Sequence, residues 1–327
     1  NDGLFKRIGN DLNWPKIDNG LVDSAVTTVS NIFDNTVYAG TESDGVFVTT
    51  NGGSNWVQMN NELIQLVSPL YISTLAVDSN NSQKVYVGTY DDGVFLTTNG
   101  GENWNATKNT DLNDKHVQAL LTYPANSEVV YVGTRGGIFK TENGGQTWTE
   151  KNTGLTDLWI TSIAIDPTSY INNLVLYAGT GFQGVSGSVF KTPNGGNTWV
   201  EVSNGLPNKP VRSLAIYPFD NRVVYAGFKG EGVYYTQDGG ENWVQKNNGL
   251  TSANIISLAI SQENSNVVYA GTEDEGVFAT ADGGDNWVQV DGGLTSELNR
   301  CVNSITVGPN DDLGYSGTGC GVFKAYK

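Results

Sequence analysis

The 327-residue chain is poor in the residues that most catalytic and metal-binding chemistries need. It has one histidine, His116, one methionine and two cysteines, Cys301 and Cys320. No histidine, cysteine or carboxylate cluster has the spacing of a zinc site, and no loop has the spacing of a calcium site. We therefore expect no metal and no cofactor.

Basic residues and long apolar segments are also scarce. Lysine and arginine total 18 against 34 aspartates and glutamates, which gives a net charge of -16. Such a chain repels the phosphates of nucleic acids and anionic membrane surfaces. No segment approaches the roughly 18 apolar residues that a membrane helix needs. The composition, rich in Asn, Thr, Ser and Gly, favours an exported protein, which we expect outside the cell, at its surface or in the periplasm.

The chain is rich in glycine and tryptophan because it contains a repeat. A box of eight residues, Thr-x-Asn/Asp-Gly-Gly-x-Asn/Thr-Trp, occurs six times. The tryptophans lie 44 to 51 residues apart, a period that suits a small sheet stacked on its neighbours. An unbroken repeat predicts one domain over residues 1–327. The third and eighth box residues are Asn51 and Trp56, Asn99 and Trp104, Asn143 and Trp148, Asn194 and Trp199, Asp238 and Trp243, and Asp282 and Trp287.

Each repeat contains four short apolar or alternating segments separated by turn residues. This pattern predicts four antiparallel strands, labelled A to D from the inside outwards. In the sixth repeat the predicted strands cover residues 255–260, 267–272, 276–280 and 287–290. Asn or Asp in the box can bond its own backbone, Gly-Gly supplies positive φ, and the tryptophan can bury a large area between sheets. We therefore interpret the box as a structural turn between strands C and D.

Sheets of this kind must hide their edges, and a β-propeller does so by closing into a ring. Seven strand A segments, seven strand B tyrosines and seven tryptophans, counting Trp14, predict seven blades. The last blade lacks its own strand D, and residues 14–21 match residues 243–250, so we expect the N-terminus to close that blade. Two segments, Gly3–Lys6 and Gly321–Lys324, compete for the strand C place in it.

The Tyr-Ala-Gly-Thr and Gly-Val-Phe phrases and the boxes resemble those of the Asp-box, or bacterial neuraminidase repeat, β-propellers, nearest the xyloglucanase and sortilin-like branch. The resemblance runs from Trp14 to Phe323 and implies an all-β propeller. That superfamily includes glycosidases, receptors and assembly factors, so it implies no single activity. The chain has five arginines and no Phe-Arg-Ile-Pro phrase, which speaks against a sialidase. It also has one propeller where xyloglucan enzymes usually pair two.

In a propeller the D-to-A and B-to-C loops meet on one face, where ligands usually bind. Aligned there, the repeats differ just before strand A and two places further on. Aromatic residues in successive blades, followed by an arginine, predict a rim that suits a sugar or a peptide. Blade 4 also has a longer B-to-C loop, 181–187. The predicted ligand-binding residues are Tyr71, His116, Trp159, Phe182, Arg212 and Asn254.

Acidic residues crowd the same loops, and a pair of them could act as acid and base in glycoside hydrolysis. The candidates for such a pair are Asp91, Asp92, Glu273 and Asp274. Their matching repeat positions equally suit a solvated turn. Cys301 and Cys320 lie in neighbouring strands of the last blade, so a disulfide is within reach.

Three functions follow from these patterns. The first is a non-enzymatic recognition propeller, monomeric as a domain, that binds a glycan or a protein. The second is a glycoside hydrolase or lyase with its carboxylate pair on the same face. The third is a structural or assembly module of a larger surface protein.

Overall fold

The computed structural model describes residues 15–21, 25–33, 35–66, 70–169, 173–181, 186–290, 292, 294, 296, 300–308 and 313–326. The strands in this part of the chain form seven antiparallel sheets, each with its strands in chain order. Six sheets have four strands and the seventh has three. The predicted seven-bladed β-propeller is confirmed.

The strands of the first three blades follow the repeat. Blade 1 contains β1 (Val26–Phe33), β2 (Thr36–Thr41), β3 (Val46–Thr49) and β4 (Val57–Gln58). Blade 2 contains β5 (Ile72–Asp78), β6 (Asn81–Thr89), β7 (Val94–Thr97) and β8 (Asn105–Ala106). Blade 3 contains β9 (Val117–Tyr123), β10 (Asn126–Thr134), β11 (Gly137–Thr141) and β12 (Thr149–Glu150).

The remaining blades keep the same order. Blade 4 contains β13 (Ile160–Ile165), β14 (Leu176–Thr180), β15 (Val189–Thr192) and β16 (Val200–Glu201). Blade 5 contains β17 (Val211–Ile216), β18 (Val224–Phe228), β19 (Gly232–Thr236) and β20 (Val244–Gln245). Blade 6 contains β21 (Ile255–Ile260), β22 (Val268–Thr272), β23 (Val277–Thr280) and β24 (Val288–Gln289). Blade 7 contains β25 (Val302–Val307), β26 (Leu313–Thr318) and β27 (Gly321–Tyr326).

The first strand of each blade is its strand A and contacts strand A of both neighbouring blades, including β1 against β25. The ring is therefore closed. The core lies in the wedges between adjacent blades: the cluster between blades 1 and 2, for example, contains Val46, Ile72, Phe95 and Trp104. Each strand D begins just after its tryptophan, one residue later than the sequence predicted, because the tryptophan lies in the turn. The described residues outside the strands include a short α-helix, α1 (Leu63–Leu66), and a 3₁₀ turn at Asn109–Asp111.

The box turns share one set of hydrogen bonds, which blade 4 illustrates. The Thr192 hydroxyl donates to Asn194 Oδ1 at 2.8 Å, and the Thr198 amide donates to the same oxygen at 3.0 Å. The Gly196 amide donates to Thr192 Oγ1 at 3.1 Å. Both box glycines have positive φ, 67° at Gly195 and 84° at Gly196, a region that favours glycine. The side chain of the third residue thus holds the turn that the sequence predicted.

The box tryptophans join each blade to the one before it. Trp199 Nε1, for example, donates to the Lys151 carbonyl at 2.8 Å. Trp104, Trp243 and Trp287 make the same type of bond to a backbone carbonyl after the preceding strand D, whereas Trp148 donates to Thr107 Oγ1 at 3.3 Å. Trp56, in the first blade, donates to the Ile17 carbonyl at 2.6 Å.

Residues 15–17 complete blade 7. The Ile17 amide donates to the Val322 carbonyl at 2.9 Å, and the Lys324 amide donates to the Pro15 carbonyl at 3.3 Å. The N-terminal segment therefore lies beside β27 in the place of strand D, as the sequence predicted, and Gly321–Tyr326 forms strand C. The competing segment Gly3–Lys6, and Trp14, lie outside the described residues.

Candidate functional site

The D-to-A and B-to-C loops lie together at one end of the central channel, which we call the loop face, and the box turns lie at the other. A hydrogen-bonded girdle joins the A strands at the loop face. In four blades the second residue of strand A donates from its side chain to the carbonyl of the first residue in strand A of the next blade. These bonds are Thr27 to Ile72 at 2.5 Å, Ser73 to Val117 at 2.6 Å, Thr161 to Val211 at 2.5 Å and Asn303 to Val26 at 2.9 Å.

Blades 3, 5 and 6 depart from this girdle. Gln118 instead lies with its Nε2 atom 2.9 Å from His116 Nε2. Arg212 makes no hydrogen bond within the described part of the chain, and its Nε atom is buried. Ile256 has no polar atom to donate. At this one place in the repeat, four side chains therefore join neighbouring blades, and Gln118, Arg212 and Ile256 do not.

These three side chains open a cavity at the mouth of the channel. Its volume is about 320 Å³. The girdle positions supply its floor, and the loops of blades 1 to 3 supply its wall. It is lined by Thr27, Glu42, Tyr71, Ser73, Tyr90, His116, Val117, Gln118, Arg212, Ile256 and Asn303.

Beside the cavity, Arg135 of the blade 3 B-to-C loop lies between two aromatic rings. Its guanidinium carbon is 5.3 Å from the centre of the Tyr90 ring and 4.8 Å from that of Trp159, distances at which a cation is attracted to a ring. The Tyr90 ring lies 5.2 Å from Tyr71 and meets the His116 ring edge-on at 4.0 Å. We call Tyr71, Tyr90, His116, Arg135 and Trp159 the Arg135 cluster.

Hydrogen bonds fix the arginine within this cluster. Arg135 Nη2 lies 3.2 Å from the Tyr90 hydroxyl and 3.2 Å from His116 Nε2. A guanidinium can only donate, so His116 Nε2 must accept and therefore carries no proton. Nδ1 then bears the proton, and the imidazole is neutral. The buried Nε atom of Arg135 has no partner among the described residues.

The environment of His116 is consistent with the neutral form. The side chain is 4% exposed. Burial and the Arg135 guanidinium lower the pKa of His116 below its ordinary value, against the opposing effect of Asp91 and Asp114. Asp91 Oδ1 lies 3.8 Å from Nδ1, which is too far for a hydrogen bond.

The predicted ligand-binding residues fall into three groups. Tyr71, His116 and Arg212 line the cavity, and Trp159 belongs to the adjoining Arg135 cluster. Asn254 does not line the cavity, because its Nδ2 donates to Asp274 Oδ2 at 3.0 Å. Phe182 lies outside the described residues. The described ends of its loop do show the predicted extra length, since the Thr180 amide bonds the carbonyl of Ser188 whereas the Thr41 amide bonds that of Gly45.

Sequence reasoning missed Tyr90 as a site residue and did not connect Arg135 to the aromatic rim. Tyr90 follows the last residue of strand B in blade 2, where blades 1 and 6 carry glutamate. The signal available in the sequence was an aromatic residue at this turn position, where the other blades carry glutamate, lysine, arginine or glycine. Its side chain remains 42% exposed although it contacts three members of the cluster.

None of the four candidate acids lines the cavity, although Asp91 lies 3.8 Å from His116, which does. Glu273 forms an ion pair with Lys229 at 2.6 Å, and Asp274 accepts hydrogen bonds from Ser252 and Asn254. Among the described lining residues the one carboxylate is Glu42. Glu42 also affects Tyr71: burial, and to a lesser extent the charges of Glu42 and Tyr90, raise the pKa of the Tyr71 hydroxyl. No group of three histidine, cysteine or acidic side chains in the described ranges could hold a metal ion.

Cys301 and Cys320 are both thiols in the structure. The Cys301 thiol lies 3.5 Å from Asn303 Oδ1. The predicted disulfide is therefore not confirmed. Burial, together with Glu273, Glu42 and Asp274, raises the pKa of the Cys301 thiol, so that sulfur is held in its protonated form.

Known proteins share this architecture. The model of the Sortilin-Vps10 family (sortilin, neurotensin receptor 3) matches residues 187–302. Comparison with curated protein sequences finds no match. Among solved structures, the GH74 enzyme of Niastella koreensis is 20% identical over 95% of this chain and 53% of its own, with a TM-score of 0.75. The GH74 xyloglucanase of Xanthomonas campestris is 15% identical over 96% and 53%, with a TM-score of 0.74.

A second kind of structural neighbour matches over nearly its whole length. YCF48 bound to D1 peptide is 15% identical over 97% of this chain and 96% of its own, with a TM-score of 0.71. The predicted resemblance to the Asp-box β-propellers is confirmed. The chain spans about half the length of the GH74 enzymes and nearly all of YCF48. This fold is thus shared by enzymes and by a peptide-bound protein. In the described part of the chain, no helix is long and apolar enough to cross a membrane.

Proposed function

We propose that this chain is a non-catalytic recognition domain that binds a protein or peptide segment at the channel mouth and the Arg135 cluster. One observation carries the proposal: Arg135 and Arg212 have no acidic partner. Among the described residues no carboxylate oxygen lies within ion-pair distance of either guanidinium, although the chain carries a net charge of -16. Partly buried cations of this kind favour a ligand that supplies a carboxylate.

The girdle supports a ligand-binding role for Arg212 in particular. A threonine at the same place in blades 1 and 4 joins two blades, so an arginine there gives up a stabilising hydrogen bond. Residues that break a local structural rule are often found at functional sites. Arg212 favours a ligand with an anionic group. Ile256, which lines the same cavity, favours an apolar group next to it.

The state of the aromatic rings favours a peptide over a sugar. Sugars bind to rings by stacking on an open face, but Tyr90 contacts Tyr71, His116 and Arg135, and Trp159 contacts Arg135. The rings therefore act as a scaffold for the guanidinium. Apolar side chains also stand exposed on the D-to-A loops, with Leu158 at 40% and Ile64 at 64%. Exposed aliphatic groups around a polar centre are typical of protein-binding surfaces.

The comparison with YCF48 supports this proposal, because that protein matches over 96% of its length and is bound to a peptide. The glycosidase alternative needs two carboxylates roughly 5 to 10 Å apart beside the substrate. Among the described residues that line the cavity, Glu42 is the one carboxylate. We further propose that residues 1–327 act as one monomeric domain of an exported protein, in keeping with the continuous repeat and the composition.

A library of random peptides with free C-termini, displayed on a surface and selected on the purified protein, tests the proposal. We expect enrichment of peptides that carry an acidic side chain or depend on a free terminal carboxylate. The Arg212→Thr variant, which installs the residue of blades 1 and 4, should lose this binding. It should also raise the free energy of unfolding by about 1 kcal/mol, because the threonine can restore the girdle bond between blades 5 and 6.

The matched control is Arg222→Thr, which removes an exposed arginine paired with Asp220 far from the cavity. It should retain the binding. The proposal fails if no peptide is enriched, or if Arg212→Thr and Arg135→Gln bind the selected peptides as well as the unmodified protein. Hydrolysis of a selected peptide, or of xyloglucan in a parallel assay, would equally overturn the non-catalytic proposal.

A further inference from the structure

A second concave site lies at the side of the ring, away from the loop face. It is a groove of about 690 Å³ between blades 2 and 3. Strands C and D of blade 2 form one wall, and the box turn of blade 3 forms the other. We propose that this interblade groove is a binding site for a neutral oligosaccharide, independent of the peptide site proposed above.

At two fixed places of the repeat that line the groove, blade 2 has side chains shorter than the lysine or methionine of other blades. The first is the third residue of the Val-Phe-x phrase in strand C, which is Leu96 here and a lysine in blades 3, 4 and 7. Lys191 and Lys324 at that place donate to the first-glycine carbonyl of the next box, from Lys191 to Gly239 at 3.2 Å and from Lys324 to Gly52 at 3.3 Å. A leucine cannot span the wedge in this way.

The second place is the third residue after the box tryptophan. Blade 2 has Thr107 there, where blades 1, 3 and 5 carry Met59, Lys151 and Lys246. At this place each of these side chains, Thr107 included, lies against the second box glycine of the following blade. Methionine and lysine extend beyond that contact, whereas threonine ends there. Every other wedge that faces a box turn has a methionine, lysine or tyrosine at one of the two places. Among the wedges that face a box turn, only the one between blades 2 and 3 has none of these residues. The groove there, about 690 Å³, falls in the range of about 300 to 1,000 Å³ that is typical of ligand sites.

The chemistry of the lining suits hydroxyl groups. The floor contains an ion pair between Lys84, which is 8% exposed, and Glu128, whose side chain is 50% exposed. The side chains of Asn105 and Gln146, from opposite walls, make no hydrogen bond to other described residues. Amides both donate and accept, as sugar hydroxyls do. Leu96 and Ala106 add an apolar strip for the C–H face of a sugar ring.

Two alternatives fit less well. A peptide could add a strand to an exposed sheet edge, but β8 has only two residues, Asn105 and Ala106, and offers too short an edge. An anionic ligand would meet Glu128, which already neutralises Lys84. A neutral chain of sugar units can instead use the donors and acceptors of both walls.

An array of neutral oligosaccharides, including β-glucan, mannan, galactan and xyloglucan fragments, tests this proposal. We expect binding of at least one series by the unmodified protein. Gln146→Ala should weaken it about three- to tenfold through the loss of a hydrogen bond. Leu96→Lys should abolish it, because it installs the residue that reaches the next box in blades 4 and 7. Glu102→Ala, at the same box position in the neighbouring turn, is the matched control and should leave binding unchanged.

The Arg212→Thr variant separates this proposal from that for the loop face. Retained sugar binding in Arg212→Thr, with loss in Leu96→Lys, supports the groove whether or not a peptide binds elsewhere. Three results would overturn it: no bound neutral oligosaccharide, loss of sugar binding in Arg212→Thr, or unchanged binding in Leu96→Lys. Thermal unfolding of each variant confirms that the loss is not a failure to fold.

Discussion

Individual side chains decide what the loop face can do, and His116 shows this most directly. It is the only histidine in the chain. Its Nε2 atom accepts from Arg135, and this contact holds the guanidinium beside the cavity. A proton on Nε2 would remove the acceptor and place two cations side by side. The position of Arg135 therefore depends on a neutral imidazole.

The first prediction concerns the titration of His116. In the folded chain its pKa lies below the ordinary value of 6.5, so the unfolded chain takes up a proton at a higher pH. The stability that this residue contributes is fully present above pH 6.5 and is lost as the pH falls below it. Since the chain has one imidazole, its nitrogen NMR signals should report the Nδ1–H tautomer at neutral pH and a single titration below 6.5.

Two variants check the cause of that shift. Arg135→Gln removes a neighbouring cation and should raise the pKa of His116. Asp91→Asn removes an opposing anion and should lower it further. A pKa that stays the same in both variants would contradict the electrostatic account of the Arg135 cluster. The Nε–H signal of Arg135 should weaken over the same pH range as His116 takes up its proton.

At the scale of the element, the box turn is the unit that repeats. Its third residue satisfies a hydroxyl and a backbone amide, and in blade 4 Asn194 Nδ2 also donates to Thr198 Oγ1 at 2.9 Å. In blade 5 the carboxylate of Asp238 accepts the equivalent hydrogen bonds from Thr236 and Asn242. The hydrogen bond from Asn242, more than any other contact, lowers the pKa of Asp238 to about 2. The stability due to that carboxylate is present above its ordinary pKa of 3.8 and is lost as the pH falls toward 2.

The second prediction is that Asn194→Ala destabilises the propeller by about 1 to 2 kcal/mol. The turn would lose three hydrogen bonds: Asn194 Oδ1 accepts from the buried Thr192 hydroxyl and from the Thr198 amide, and Asn194 Nδ2 donates to Thr198 Oγ1. Asn194→Asp is the control, because blades 5 and 6 carry aspartate at this place, and it should cost much less. Urea unfolding measures both. Equal losses in the two variants would show that the amide, and not the shared oxygen, holds the turn.

The elements of the fold could be predicted from the sequence, whereas the site could be predicted only in part. Strands, box turns and blade number follow from local signals, such as alternation, paired glycines and a tryptophan at a fixed distance. The Arg135 cluster depends on contacts between residues from three blades, such as Arg135 and Tyr90, which are 45 residues apart. Alignment also placed Asn254 in the rim, but it cannot show that Asn254 bonds Asp274. Side-chain partners across loops decide the site, and a repeat pattern does not contain them.

At the scale of the whole molecule, stability depends on how the ring closes. Six wedges join blades that are consecutive in the chain, whereas the wedge between blades 7 and 1 joins its two ends. There the indole of Trp56 donates to Ile17, and Ile17 in turn bonds Val322. Ile17 also packs against the box glycine Gly53. One residue of the closing segment therefore connects strand C of blade 7 to the box of blade 1.

The last prediction tests this closure with Ile17→Pro. Proline lacks the amide that donates to the Val322 carbonyl, so the segment can no longer pair fully with β27. We expect a loss of stability on the order of 2 to 3 kcal/mol and faster hydrogen exchange at Val322 and Lys324 than in the inner strands of blades 3 to 5. Lys16→Ala, at the exposed neighbouring residue, is the control and should change neither quantity appreciably. Uniform acceleration of exchange in all seven blades would instead mean that the ring opens as one cooperative unit, and that the closing segment is no weaker than any other wedge.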